Sequence, residues 1–167
     1  MSIKLDKFWV RALAVASVGA ASIALAGCSL LGNVANNGST DQSTGEGTDS
    51  DVFSIKVGDC LNDGDVEGEV SSVPITDCAK PHDSEAFKSI LMADGDFPGD
   101  DAVTQQAIDG CTAAFTDFVG IDYDSSSLDF SYYFPTSDSW AQGDREILCL
   151  AIDPNGQTTG TLAGAAR

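Results

Sequence analysis

The sequence has few of the side chains from which active sites are usually built. Its single histidine is His82, and only 8 lysine and arginine residues oppose 26 aspartate and glutamate residues. The net charge of −18 argues against binding to nucleic acid or anionic lipid headgroups, because both are themselves negative. Neither a Cys-x-x-Cys pair nor a Gly-x-Ser-x-Gly motif occurs. A thioredoxin-like site, a zinc ribbon and a serine-hydrolase nucleophile turn are therefore not indicated.

Long apolar segments are also lacking. The longest is an uncharged run of 15 residues from Ala12 to Ala26, which follows Lys4, Lys7 and Arg11. A bilayer-spanning helix needs about 20 apolar residues. A positive start followed by a short apolar run is typical of a secretory signal peptide. An uncleaved transmembrane helix extended through Leu31 is the alternative.

The apolar run ends in Leu25-Ala26-Gly27-Cys28, which resembles the lipobox of bacterial lipoproteins. In that family a diacylglyceryl group is attached to the cysteine thiol, and the peptide is cleaved just before it. The resemblance implies that residues 1–27 are a lipoprotein signal peptide and that Cys28 is the lipidation site. It also implies a partner, the cell membrane, to which the lipid anchors the chain on the extracytoplasmic face. Two acyl chains suffice for stable anchoring.

Residues 28–51 connect this lipid anchor to the rest of the chain. From Ser29 to Asp51 the composition is rich in Ser, Thr, Gly, Asn and Asp, with no aromatic residue. Such a segment buries too little apolar surface to offset chain entropy. We therefore predict a disordered linker with a root-mean-square reach of about 25 Å.

Residues 52–167 show the alternation of apolar and polar residues that is typical of β-strands. The first strand is predicted at Phe53, Ile55 and Val57. Further strands are predicted at residues 70–75, 86–92, 128–134 and 145–152, and Pro74 suggests that the second strand lies near a sheet edge or ends there.

One segment instead has the helical period. Spacings of three and four place seven apolar residues on one face: Val103, Ala107, Ile108, Cys111, Ala114, Phe115 and Phe118. These spacings predict a helix over residues 100–118, with Asp100 as N-cap and Gly120 at its C-terminus. The predicted fold class is α+β: a small antiparallel sheet with one main helix packed on it.

Four cysteines remain once Cys28 is set aside, an even number in an oxidising compartment. Three connectivities are open. We favour Cys60–Cys78, which brackets the opening strand-loop-strand unit, together with Cys111–Cys149, which would join the helix to the last strand. Two disulfides of this kind contribute about 3 to 4 kcal/mol each in the chain-entropy model.

A family resemblance is carried by three strings: VGDCLN at 57–62, DCAKPHDSEAF at 77–87 and WAQGDR at 140–145. They resemble the septum-formation domain of actinobacterial envelope proteins, and the tail TGTLAG at 159–164 also fits. The resemblance covers nearly all of residues 52–167. It implies an extracytoplasmic, often membrane-attached protein linked to cell division, and it brings no established catalytic residue.

His82 followed by Asp83 resembles the His-Asp dipeptide of metal-dependent phosphohydrolases. Those sites need several more ligands, and the chain has no second histidine. We expect His82 to lie in a turn and to pack or hydrogen-bond beside the Cys60–Cys78 disulfide. It is kept as a candidate binding residue, and no cofactor or metal site is predicted.

An acidic loop offers a weak alternative. Asp63, Asp65, Glu67 and Gly68 match positions one, three, five and six of a calcium loop, but position twelve is Pro74 where a bidentate Glu is needed. A solvated acidic loop is the expected structure.

Three further residues are candidates for binding. Arg145 is expected to form an ion pair or a cap that holds the loop of Trp140 to the following strand, with anion recognition as the alternative. Tyr133 and Trp140 combine an aromatic ring with a polar tip, as residues of interaction surfaces often do. They are our predicted partner-binding patch.

Two function classes remain. The first is a non-catalytic binding or scaffolding module that is held outside the membrane and contacts another envelope or division protein. The second is an envelope enzyme, for example a wall hydrolase with the paired carboxylates Asp83 and Glu85. Capture of a metal or small cation by the acidic surface overlaps with the first class. We expect the first, a protein that is not an enzyme.

Overall fold

The computed structural model describes residues 2–3 and 47–167. All of them belong to one compact unit of the chain. The strands are β1 (Ser2–Ile3), β2 (Thr48–Asp51), β3 (Cys60–Leu61), β4 (Gly68–Glu69), β5 (Ser72–Thr76), β6 (Ser84–Leu91), β7 (Asp129–Tyr133) and β8 (Glu146–Ile152). The α-helices are α1 (Asp100–Val119) and α2 (Ser137–Ala141), and short 3₁₀ turns span Val52–Ser54 and Tyr123–Ser125. Apart from Ser2 and Ile3, the predicted signal peptide lies outside the described residues, as do Cys28 and most of the predicted linker.

Six strands form one antiparallel sheet in the order β2-β5-β3-β6-β8-β7, while β1 and β4 pair separately. The centre is the ladder between β6 and β8, which runs from Ser84 opposite Ile152 to Leu91 opposite Glu146. Residues 147–151 of β8 are all buried. A continuous apolar run of this kind is buried on both faces of a sheet, which explains why β8 is an inner strand.

The sheet separates two apolar clusters. Alternate residues of β8 contribute to each, so the clusters lie on opposite faces. Helix α1 covers one face with its buried residues Val103, Ala107, Cys111, Phe115 and Val119. The other face is covered by the segment that enters the sheet, including Val52 and Ile55. The predicted α+β fold, an antiparallel sheet with one main helix and two disulfides, is confirmed.

Both disulfides have the favoured connectivity, Cys60–Cys78 and Cys111–Cys149. The second joins the middle of α1 to β8 beneath it. The predicted strands at 86–92, 128–134 and 145–152 correspond to β6, β7 and β8 within two residues at each end.

The first predicted strand is wrong. Residues 53–57 begin in a 3₁₀ turn, and the edge strand is β2, which lies inside the predicted linker. Val52 and Ile55, three residues apart, are buried, whereas Phe53 and Val57 are exposed. The backbone of the polar segment 48–51 pairs with β5, so partner-strand hydrogen bonds outweigh its low β-propensity.

The ends of α1 differ in part from prediction. Its N-cap is Gly99 and Asp100 is its first residue, so the Asp100 N-cap is wrong. Gly120 does end the helix, with the left-handed φ of 89° that glycine adopts without strain, and its N–H donates to the Thr116 carbonyl at 2.9 Å. Ile108, predicted to face the core, is 41% exposed. The short helix α2 was not predicted from sequence.

Candidate functional site

The chemically most capable side chains of the described residues lie beside the Cys60–Cys78 disulfide. The sulfur of Cys60, a ring nitrogen of His82 and a carboxylate oxygen of Glu85 lie within 4.8 Å of one another, and all three residues are buried. Cys60 is paired opposite Glu85 where β3 meets β6, which explains their proximity. A sulfur in a disulfide is not a thiolate, so this group is not a ready metal site in the oxidised protein.

His82 is fully buried, and both of its ring nitrogens have partners. Nδ1 lies 2.9 Å from the Lys80 carbonyl oxygen, and Nε2 lies 3.2 Å from Oγ1 of Thr158. A carbonyl can only accept, so in the neutral ring Nδ1 carries the proton and Nε2 accepts from the Thr158 hydroxyl. The backbones of His82 and Thr158 also exchange two hydrogen bonds of 2.9 Å. His82 lies beside the disulfide as predicted, within 4.8 Å of the Cys60 sulfur, but it forms an antiparallel β-bridge with Thr158 and does not lie in the predicted turn.

Glu85 holds the C-terminal tail against the sheet. Its carboxylate accepts a 2.7 Å hydrogen bond from the Thr161 hydroxyl and a 2.6 Å bond from the Leu162 N–H. Asp83 instead accepts from the Gly64 N–H at 3.0 Å. The geometry does not favour the alternative of a hydrolase pair formed by Asp83 and Glu85, because each carboxylate is bound to a different segment and Glu85 is buried.

A second polar group lies within the core. The carboxylate of Asp63 accepts from the Ser84 hydroxyl at 2.7 Å and from the Tyr133 hydroxyl at 2.8 Å. Burial raises the pKa of Asp63 above its ordinary value. Burial also raises the pKa of Tyr133, and the adjacent Asp63 carboxylate adds to this effect.

This geometry removes the calcium alternative. Asp63 would be the first ligand of the calcium loop, yet both of its oxygens are engaged inside the protein. Asp65 and Glu67 are exposed, as expected for a solvated loop. The loop therefore uses its first carboxylate to attach itself to the core.

Arg145 and Trp140 form a compact structural unit. The guanidinium carbon lies 3.8 Å from the centre of the Trp140 ring, and Nη1 donates to the carbonyls of Trp140 at 2.7 Å and Asp144 at 2.6 Å. Nε lies 3.4 Å from Oδ1 of Asp94, close enough for an ion pair but without hydrogen-bond geometry. Arg145 thus holds the α2 loop to β8, as expected, and its charge is already engaged.

The predicted patch of Tyr133 and Trp140 is wrong. Tyr133 is fully buried and Trp140 is 6% exposed, and they belong to the clusters on opposite faces of the sheet. The polar tips reach internal partners: the indole N–H of Trp140 donates to the Gly95 carbonyl at 2.9 Å. Buried Tyr and Trp commonly satisfy their polar atoms in this way.

Two other large apolar side chains are exposed close together in the chain. Phe53 is 58% exposed and Val57 is 53% exposed. The loop that carries them is held in place, because Gly58 donates to the Ala86 carbonyl at 2.7 Å and Lys56 donates its N–H to the Asp59 carboxylate at 2.8 Å. We call residues 52–59 the apolar loop. If Val52 and Ile55 had been treated as a buried pair three residues apart, the sequence would have predicted this loop.

Comparison with known proteins places this structure in a family. The family model described as "septum formation" matches residues 27–166, most of the chain. The chain belongs to the septum-formation family. The septum-formation family is not a known enzyme family; its description suggests a role in the septum or in cell division and implies an extracytoplasmic or envelope location. No curated protein and no solved structure matched. In the described part of the chain, no helix is both long and apolar enough to cross a membrane.

Proposed function

We propose that this septum-formation protein is a membrane-anchored lipoprotein that acts as a non-catalytic binding or scaffolding module of the cell envelope during division. The observation that carries the proposal is that the side chains suited to catalysis or metal binding are bound to other parts of the protein. His82, Glu85 and Asp63 are buried and hydrogen-bonded to the protein itself, and the four cysteines of residues 52–167 form two disulfides. The same groups that could act on a substrate thereby hold segments of the fold together.

The proposed anchor is the lipid on Cys28, released from residues 1–27 by cleavage and joined to the folded unit by a linker. The lipobox-like string and the positive start of the chain support it. Because the linker would hold the folded unit close to the membrane, it would raise the effective concentration at which this unit meets a membrane-bound partner. A modest contact surface is then sufficient for scaffolding.

The proposed contact surface is the apolar loop. Its buried residues Val52 and Ile55 are 2% and 4% exposed. They anchor the loop in the core, so the backbone that carries the outward side chains Phe53 and Val57 is fixed. The Asp51 carboxylate accepts from the Phe53 N–H at 2.9 Å and fixes the turn. A surface that is ordered before binding loses little conformational entropy when a partner arrives, which favours recognition.

We propose a protein partner with an apolar recess bordered by lysine or arginine. Asp49 and Asp51 are exposed in the strand that leads into the apolar loop, and the whole chain carries a net charge of −18. Complementary charge favours a basic rim on the partner. The same charge disfavours an anionic membrane surface as the occupant.

The test is photo-cross-linking in living cells with the full-length protein. A photoreactive phenylalanine analogue at Phe53 should give one dominant protein adduct, whereas the same analogue at Leu91, which is 76% exposed, should not. The change Asp49→Lys should weaken the Phe53 adduct, because it removes the charge that complements a basic rim.

Two further observations accompany this test. The double change Phe53→Ser and Val57→Ser should abolish the adduct formed by an analogue at Lys56 while altering stability by only about 0.5 kcal/mol, as usual for exposed positions. Identical adducts from positions 53 and 91 would contradict the proposed surface. Hydrolysis of purified wall material by the protein would contradict the non-catalytic role.

A further inference from the structure

We propose that reduction of the Cys60–Cys78 disulfide creates a binding site for a thiolate-preferring divalent cation, of which zinc is the representative. The four ligands would be the sulfurs of Cys60 and Cys78, a ring nitrogen of His82 and a carboxylate oxygen of Glu85. Two thiolates, one imidazole and one carboxylate are all established zinc ligands, and four ligands complete a tetrahedral site. This site is independent of the apolar loop and of the proposed scaffolding role.

The donors are already close together. Cys60, His82 and Glu85 place their donor atoms within 4.8 Å of one another, and the Cys78 sulfur is bonded to that of Cys60. Zinc–ligand distances of about 2.0 to 2.3 Å place tetrahedral ligands about 3.3 to 3.8 Å apart. The donor atoms of Cys60, His82 and Glu85 would therefore approach by up to about 1 Å, whereas the two sulfurs, once their bond is broken, would move apart.

The surroundings of the donors resemble the outer shell of a metal site. A histidine that binds metal almost always donates its other N–H to a carbonyl or carboxylate. His82 does so: Nδ1 faces the Lys80 carbonyl, which leaves the lone pair on Nε2. Its neighbour there is the Thr158 hydroxyl, which can rotate away. Both oxygens of Glu85 accept hydrogen bonds, Oε1 from the Thr161 hydroxyl and Oε2 from the Leu162 N–H, so coordination would use a second lone pair of one oxygen or displace the Thr161 hydroxyl.

Exposure distinguishes the two disulfides. Cys78 is partly exposed, whereas Cys111 and Cys149 are both fully buried. A reductant therefore reaches the first disulfide before the second. A dithiol reductant would supply two electrons and two protons, so that the S–S bond breaks, two thiols form and the reductant becomes a disulfide. A zinc ion would then displace both thiol protons, because only thiolates coordinate it.

The physical consequence is that one cross-link replaces another. In the oxidised protein the disulfide joins β3 to the loop that precedes His82, and in the reduced protein the metal would join the same segments. The C-terminal tail stays attached through Glu85 in both states. The fold would thus keep a covalent or coordinate link at this position under either redox condition.

The test uses the full-length chain with Cys28→Ser, so that no other free thiol is present. The protein is reduced with a phosphine in the absence of oxygen and titrated with Co²⁺, whose thiolate complexes absorb strongly in the near ultraviolet. We expect a charge-transfer band that saturates at one Co²⁺ per chain and disappears when Zn²⁺ is added. The oxidised protein, titrated in the same way, should give no band.

Two ligand variants make the test specific. His82→Gln and Glu85→Gln should each weaken Co²⁺ binding at least tenfold, a loss comparable to that caused by disturbing metal-site neighbours. Thr158→Val removes the hydroxyl that competes for Nε2, so it should bind Co²⁺ at least as tightly as the parent. The melting temperature of each oxidised variant establishes that it is folded. If His82→Gln does not fold, Glu85→Gln decides the outcome.

Alkylation and peptide mapping of the reduced, metal-free protein should locate the new thiols at Cys60 and Cys78. New thiols at Cys111 and Cys149 instead would overturn the assignment. So would a reduced protein that unfolds in the presence of metal, the lack of a charge-transfer band, or unchanged affinity in the folded ligand variants.

Discussion

Asp63 shows how one buried carboxylate shapes the response of this protein to pH. It is 9% exposed, and its hydrogen-bond partners Ser84 and Tyr133 are neutral hydroxyls. Hydroxyl donors offset part of the loss of hydration, but burial still dominates and raises the pKa of this carboxyl. Ionised Asp63 is therefore less favourable in the folded state than in the unfolded state.

The sign of the effect follows from linkage. A raised carboxyl pKa means that the folded state holds the proton more tightly, so this contribution to stability is fully present below pH 3.8 and is lost as pH rises towards the folded-state pKa. We predict that Asp63→Asn gains stability relative to the parent over this window, by about 1.4 kcal/mol for each pH unit. Urea unfolding from pH 3 to pH 7 measures the difference.

The matched control is Asp65→Asn, which removes the same charge from the exposed part of the same loop. Its stability difference from the parent should not vary with pH in this window. A difference between Asp63→Asn and the parent that is equally flat would show that Asp63 is not held in an unfavourable ionised state.

For single residues, the sequence predicted which side chains lie together better than it predicted which side chains are exposed to solvent. The even cysteine count and the bracketing of strands led to the correct disulfides, and the lone histidine was correctly placed beside one of them. The exposure of Tyr133 and Trp140 was predicted incorrectly. Their polar tips are compatible with a surface, and only the folded chain brings Asp63 and the Gly95 carbonyl to them.

Among the secondary-structure elements, helix α1 is held to the sheet by one disulfide and by one apolar face. The Cys111–Cys149 disulfide closes a longer loop than Cys60–Cys78, with sequence separations of 38 and 18. Its sulfurs are also surrounded by the apolar cluster beneath the helix. In the chain-entropy model a longer closed loop gives a larger stabilisation.

We predict that replacing Cys111 and Cys149 with alanine lowers the free energy of unfolding by about 4 kcal/mol, and that the same change at Cys60 and Cys78 lowers it by about 3 kcal/mol. The reason for the order is the entropy of the unfolded chain, and the buried position of the first pair adds to the loss. Chemical denaturation of the two double variants checks it. The reverse order would contradict the model.

The strands and the helix were predicted correctly where the pattern of apolar residues extends over a long segment. The helical spacing over 100–118 and the alternation over 128–134 each extend over several residues, so local sequence was sufficient. The segment 48–57 was misassigned because two features compete there. A polar stretch forms β2 through pairing with β5, and an apparent alternation conceals a 3₁₀ turn. Partner strands far along the chain decided both.

For the molecule as a whole, the main determinants are charge and attachment. The whole chain has a net charge of −18, which disfavours its approach to other anionic surfaces. The proposed attachment at Cys28 would hold it near the membrane in spite of that charge. Anchoring and recognition would then be carried by separate parts of the chain.

We predict that cells given a fatty-acid probe incorporate it into the parent protein and not into Cys28→Ser, because the thiol is the acceptor. The variant should also leave the membrane fraction. Ser29→Ala, one residue further on, is the matched control and should keep both the label and the membrane location. Recovery of Cys28→Ser in the membrane fraction at the size of the processed protein would refute lipidation.

The sequence by itself determined the α+β class, the central strands and the helix, because these depend on periodicity and on short-range order along the chain; for the cysteines it favoured one of three pairings, and the folded structure decided between them. The tertiary structure alone decided which capable side chains are available. His82, Glu85, Asp63 and Tyr133 become internal only when segments such as the C-terminal tail close over them, whereas Phe53 is left outside. Burial depends on contacts between residues distant in sequence, and no local pattern encodes those contacts.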